Sequence, residues 1–127
     1  MYNFYAVADP RGLCPTGYHV PSDEEWTTLT NYLGGEHVAG SALKASPSDT
    51  PAWNGTNSSG FSALPAGLRN YNSGYFDDGG YNGYWWSSSA DGTDSAWYRS
   101  LYSGNVYVDR SSHYLRYGFS VRCVRDE

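Results

Sequence analysis

The side chains able to do chemistry are few and scattered. The three histidines, His19, His37 and His113, show no metal-ligand spacing such as His-x-x-x-His, so each reads as a surface or capping residue. The two cysteines, Cys14 and Cys123, stand far apart in the sequence. They are either unrelated buried thiols or a disulfide. A disulfide would close a loop of about 110 residues, contribute up to ~5 kcal/mol, and require an oxidising compartment. The run Ser87-Ser88-Ser89 has neither a Gly-x-Ser-x-Gly elbow nor an evident His partner. Carboxylates pair at Asp77-Asp78 and at Asp91 and Asp94. A glycosidase needs two converging carboxyls, whereas loop aspartates ordinarily shape turns. Calcium is the minor alternative for these acids, since hard oxygen ligands suit it. The expectation is a protein with no catalytic residue and no cofactor.

The composition narrows the partners. The 127 residues suit one domain, 1–127. A net charge of -5 repels a phosphate backbone and argues against nucleic acid. No apolar run reaches membrane-spanning length, and no signal-peptide pattern opens the chain; a leader or lipoprotein anchor would lie outside it. Aromatic content comes from 13 Tyr and 5 Trp more than from 4 Phe, so amphipathic rings must fill much of the core. Lys44 is the single lysine, and the other basic residues are arginines, the better contact side chains.

These residues must be positioned by recognisable elements. Residues 2–8 are rich in strand formers and run into Asp9-Pro10, which predicts a strand and a turn. Ser22 to Glu25 is a capping box. Trp26, Leu29 and Leu33 follow on one helical face, and Gly34-Gly35 supplies the stop. Residues 36–44 predict a second, shorter helix with Val38, Ala42 and Leu43 inward. Residues 45–60 are a loop plugged by Trp53, and 61–69 form a short strand interrupted at Pro65. Residues 70–84, with four Tyr and four Gly, predict an ordered, convoluted loop. Strands begin at Trp85, occupy 96–102 and the Val106/Val108 alternation, and end with 117–124. Trp26, Leu29, Leu33, Trp85, Trp97, Leu101 and Phe119 are the predicted core. Helices early and strands late indicate an α+β fold.

Four blocks then carry a resemblance. Gly17 to Trp26 (Gly-Tyr-His-Val-Pro-Ser-Asp-Glu-Glu-Trp), Gly60 to Gly67 (Gly-Phe-Ser-Ala-Leu-Pro-Ala-Gly), Tyr84 to Ser88 (Tyr-Trp-Trp-Ser-Ser) and Gly118 to Arg125 (Gly-Phe-Ser-Val-Arg-Cys-Val-Arg) together resemble the Fibrobacter succinogenes major paralogous domain family. That family is similar to the formylglycine-generating-enzyme and C-type-lectin-like group. The resemblance implies two helices flanking a twisted antiparallel sheet, with the chain ends brought together and Cys14 near Cys123, bonded in exported material. It implies secreted or surface-anchored bacterial proteins, some of them targets of diversity-generating retroelements that display a mutagenised C-terminal surface. The sugar-binding lectin motifs, Glu-Pro-Asn or Gln-Pro-Asp followed by Trp-Asn-Asp, are absent; Trp53-Asn54-Gly55 stands in the wrong block. The distant cysteines do not match the reactive pair of formylglycine-generating relatives.

What remains is a surface. Residues 98–116 mix Tyr, Ser, Gly, Asn and Arg as antibody paratopes do. Every residue there is reachable from Asn-type codons by adenine mutagenesis, and none of the unreachable Lys, Glu, Gln, Met or Trp occurs. The alternation that turns Trp97 and Leu101 inward sends Tyr98, Ser100 and Tyr102 the other way. Polarity and the resemblance add Asn105, Tyr107, Asp109, Arg110, His113, Tyr114 and Arg116. These ten are the expected ligand contacts of an extracellular binding or adhesion module whose partner is a protein or glycan. The rival readings are a structural repeat module of a pilus or surface protein, and a formylglycine-generating-type or glycan-processing enzyme.

Overall fold

The computed structural model describes residues 1–127. Its elements in chain order are α1 (Phe4–Ala8), β1 (Tyr18–His19), α2 (Asp23–Tyr32), α3 (Ala39–Leu43), β2 (Leu68–Arg69), β3 (Phe76–Asp77), β4 (Asn82–Asp91), β5 (Ser95–Tyr102), β6 (Asp109–Tyr114) and β7 (Val124–Arg125). This is a mixed α+β fold, mostly β, with three small antiparallel sheets: β1-β7, β2-β3 and β4-β5-β6.

The capping box forms as read. Ser22 Oγ accepts from Glu25 N at 3.1 Å, and Ser22 N donates back to Glu25 Oε1 at 3.0 Å. The helix stops where Gly34 and Gly35 take φ of 106° and 104°, values a side chain would resist. The second helix is shorter than predicted. It buries Ala39, Gly40 and Leu43, while Val38 stays exposed. Gly40 is required there, because an added Cβ would lie 2.7 Å from the Val106 and Tyr107 carbonyl oxygens.

Several expectations are corrected. Residues 2–8 do not form a strand: Phe4–Ala8 is a helix, capped by Asn3 Oδ1 accepting from Ala6 N at 3.1 Å, Phe4 is buried, and the extended Tyr2 is bridged to Phe119. Three short helices therefore accompany the sheets, where two were expected. The Val106/Val108 segment is not a strand. Val108 N donates to Glu36 O and Gly40 N to Val106 O, so this stretch pairs with the turn after α2 and the first turn of α3. The strand is instead the polar run Asp109–Tyr114, which pairs with β5 despite its weak intrinsic preference. Of the predicted final strand, 117–124, only Val124 falls in a regular strand, β7 (Val124–Arg125).

The three-stranded sheet is covered on both faces. Trp85 and Leu101 join Trp26, Leu43, Trp53 and Val108 on one side. Tyr84, Trp86 and Tyr98 pack with Phe4 and Phe119 on the other. Leu29 and Leu33 are partly buried against the first cluster. Trp97 lies outside both, half-buried beneath the Arg110 guanidinium at 3.7 Å. The chain ends meet: β1 pairs with β7, Tyr2 with Phe119, and Cys14 is bonded to Cys123 with Cα atoms 5.8 Å apart.

Trp26→Ala should cost about 3–5 kcal/mol by denaturant unfolding, and Ser22→Ala only about 1 kcal/mol through its cap. Equal, small losses at both positions would mean that α2 is not anchored by its tryptophan.

Candidate functional site

The site is organised from the first turn of α2. Asp23 receives two guanidinium groups. Arg99, 3% exposed, donates to Asp23 Oδ1 at 2.7 Å, to the Asp23 carbonyl at 3.0 Å and to Thr27 Oγ1 at 3.1 Å. Arg110, its cross-strand neighbour on β6, donates to both Asp23 carboxylate oxygens at 2.8–3.1 Å. Burial pushes the Asp23 carboxyl up, but the hydrogen bonds and charges of Arg110 and Arg99 outweigh it and hold the carboxyl below its ordinary range. Ser89 Oγ accepts from Asp23 N, tying the same turn to β4.

Around this clamp the edge of β6 and the loop before it form an open cleft of about 600 Å³. Six of the ten predicted contacts line it: Tyr98, Ser100, Tyr102, Tyr107, Asp109 and Arg110. Their exposure differs from the expectation of one open face. Ser100 is 1% exposed and gives its hydroxyl hydrogen to Tyr102 Oη at 2.8 Å. Tyr98 and Tyr102 are half-buried against the second cluster, because the face opposite Trp97 and Leu101 is itself covered. Tyr107 and Asp109 are exposed at the mouth. Arg110 commits Nε, Nη2 and one guanidinium face to Asp23 and Trp97 and leaves Nη1 unpaired.

The other four lie outside the cleft. Asn105 is exposed, and its Oδ1 accepts from Tyr107 N at 2.9 Å, so it shapes the loop. His113 is packed against Tyr117 at 4.1 Å, and burial pushes its pKa down. Tyr114 stands edge-on to Tyr71 at 5.6 Å, and Arg116 opens onto a separate hollow. These last three belong to the far end of β6 and the turn after it.

Sequence reasoning missed the Asp23–Arg99 clamp, the lining residues Val108 and Ser111, and three further contributors. Glu36 and His37 complete the cleft wall, with His37 edge-on to Tyr107 at 5.5 Å. Lys44 is 2% exposed, and its Nζ donates to the Tyr102 and Asn105 carbonyls at 2.9 and 3.0 Å, pinning the cleft loop from beneath. Desolvation lowers its pKa. Its standing as the only lysine is the one signal the sequence carries. His19, at the junction of the chain ends, lies between Glu25 Oε2 at 2.8 Å and Asp126 Oδ1 at 2.5 Å. Hydrogen bonds to Glu25 and then Asp126 raise its pKa above the ordinary 6.5.

The family model of the Fibrobacter succinogenes major domain matches residues 1–125, and the chain belongs to that family. No curated protein and no solved structure matches it.

Asp23→Ala strands the buried Arg99 charge and should cost about 3–5 kcal/mol, whereas Asp109→Ala should stay within about 0.5 kcal/mol; denaturant unfolding of both variants checks the contrast. The gap between wild type and Asp23→Ala should narrow as pH falls through the lowered Asp23 pKa, since a depressed carboxylate stabilises only while ionised. His19 has the opposite sign. Its contribution is complete below its unfolded value and is lost as pH rises through the raised folded value. The stability difference between wild type and His19→Gln should therefore shrink from pH 6 to pH 8, and a difference that grows would contradict the pairing.

Proposed function

We propose that this chain is a non-catalytic ligand-binding module of an exported or surface-displayed bacterial protein, built on a C-type-lectin-like fold. The observation that carries the reading is the cleft itself. Six of the residues chosen for their paratope-like chemistry converge on one concavity, with tyrosine rings beside small hydroxyl and carboxylate groups. Such surfaces bind proteins or glycans with large contact area and little entropy loss.

The fold reading draws support from the joined chain ends, the short helices and the twisted three-stranded sheet. The extracellular setting draws support from the disulfide, which persists in oxidising compartments. Both cysteines are committed to that bond, so neither is a free thiol for formylglycine-type chemistry. Diversification by a retroelement fits the placement of the exposed cleft residues Tyr107, Asp109 and Arg110 within 98–116, beside Leu101 and Val108, which belong to the core.

The test is a titration of the isotope-labelled domain with panels of short oligosaccharides and peptides, followed by NMR. A binder should shift the amides of 98–111, lose affinity by at least about tenfold in Tyr107→Ser combined with Asp109→Asn, and be recovered chemically unchanged. Shifts confined to other surfaces would overturn the assignment of the cleft, and turnover of the ligand would favour the enzyme.

A further inference from the structure

A second hollow, sharing no residue with the tyrosine cleft, opens where the N-terminal segment, the β2–β3 hairpin and the turn at 116–118 meet. It is open, of about 570 Å³. Its frame is backbone. Arg69 and Gly118 exchange two hydrogen bonds at 2.8 and 3.0 Å, and Tyr2 and Phe119 exchange two more beside them at 2.8 and 3.0 Å. Gly118 lets the strands close, since an added Cβ would stand 2.9 Å from Arg69 Cβ.

The polar groups facing this hollow are nearly all donors. Arg69 and Arg116 both line it, and neither forms an ion pair. Arg69 is held by Nε donating to Gly74 O at 3.2 Å, with its guanidinium beside the Phe76 ring, which leaves the two terminal nitrogens available. Asn3 and Asn70 also line it, and the side-chain oxygen of each is already engaged. Asn3 Oδ1 takes Ala6 N, and Asn70 Oδ1 takes Asn72 N and Ser73 N. What remains is the NH₂ group of each, with one lone pair on Asn3 Oδ1. No carboxylate lines the hollow; Asp94 lies in the neighbouring depression, beyond Arg116 and without an ion pair to it. Tyr71 and Phe76 add ring surface, and Phe76 is 71% exposed.

Two unpaired guanidiniums, two amide donors and no acid make a cationic concavity on a chain whose net charge is -5. Guanidinium groups match the planar oxyanion geometry of carboxylate and the tetrahedral one of sulfate. We infer that this hollow is a binding site for an oxyanion, a carboxylate or sulfate, carried on a ring that lies against Phe76 and Tyr71, as in an acidic saccharide unit. The site does not depend on the reading of the tyrosine cleft.

The probes are D-glucuronate, glucose 6-sulfate and neutral glucose, titrated into the isotope-labelled full chain at fixed ionic strength. One or both anionic probes should shift the amides of Arg69, Gly74 and Gly118, while glucose leaves them in place. Response to glucuronate alone assigns carboxylate, and response to the sulfate alone assigns sulfate. Arg116→Gln, whose side chain makes no hydrogen bond in the free protein, should weaken binding by about tenfold, the loss expected for one charge-assisted contact. Arg69→Gln should do the same, and Arg125→Gln, exposed on β7 outside the hollow, should change nothing. Equal response to glucose, shifts that map elsewhere, or an equal loss in Arg125→Gln would each overturn the inference. Should Arg69→Gln disturb the hairpin, Arg116→Gln decides alone.

Discussion

Asp23 lies between two arginines, and the geometry of the whole cleft follows from it. A guanidinium cannot shed its proton on burial as a lysine can. Arg99, almost wholly out of solvent on β5, therefore demands an anion, and Asp23 supplies it from the first turn of α2. The second arginine, Arg110, meets the same carboxylate from β6. One acid thus sets the distance and register between a helix and two strands. It also sets the cleft's charge. With Arg110 engaged at Asp23 and stacked on Trp97, the carboxylates of Glu36 and Asp109 face the opening without an ion-pair partner.

The scaffold around this clamp uses little regular structure. Of 66 backbone hydrogen bonds, 41 lie outside the interiors of helices and strands, so the loops are held by their own ladders and turns. That is how a segment as rich in Gly, Asn and Tyr as 70–84 can be ordered: Asn70 nucleates its turn, and Tyr84 Oη ties β4 back to Asp78 at 2.6 Å. Closure of the ends completes the frame. The Cys14–Cys123 bond, the β1–β7 pair and the His19 bridge between Glu25 and Asp126 all act at one junction.

Sequence legibility tracked locality. The capping box, the glycine stop and the Trp26 face are set by residues within a turn of one another, and they form as read. Trp85, Leu101 and Phe119 were legible as core because large apolar rings and chains have few other places to go. Residues 2–8 misled because strand-forming side chains say nothing of the Asn3 cap or of the pocket that takes Phe4. The polar strand Asp109–Tyr114 was invisible to pattern, since its pairing is dictated by β5. Ser100 was expected on the exposed face, and Arg99 and Lys44 carried no signal of burial, yet each is buried with a long-range partner or a neighbouring hydroxyl. Of the ten expected contacts, the six nearest the cleft were grouped by alternation and polarity. The others, His113 and Tyr114 at the far end of β6, Arg116 in the turn after it and Asn105 in the loop before it, are placed by a pairing and by turns that no periodicity encodes.

The account separates a charged frame, which carries the fold, from an exposed rim, proposed as the binding surface, that the fold does not need. The most direct measurement is the protease-resistant fraction of two surface-displayed libraries, one randomised at Tyr107, Asp109 and Ser111, the other at Asp23, Lys44 and Arg99. The rim library should remain mostly resistant and the frame library should be mostly digested. Comparable digestion of the two would contradict the separation, because the residues assigned to binding would then be holding the fold together.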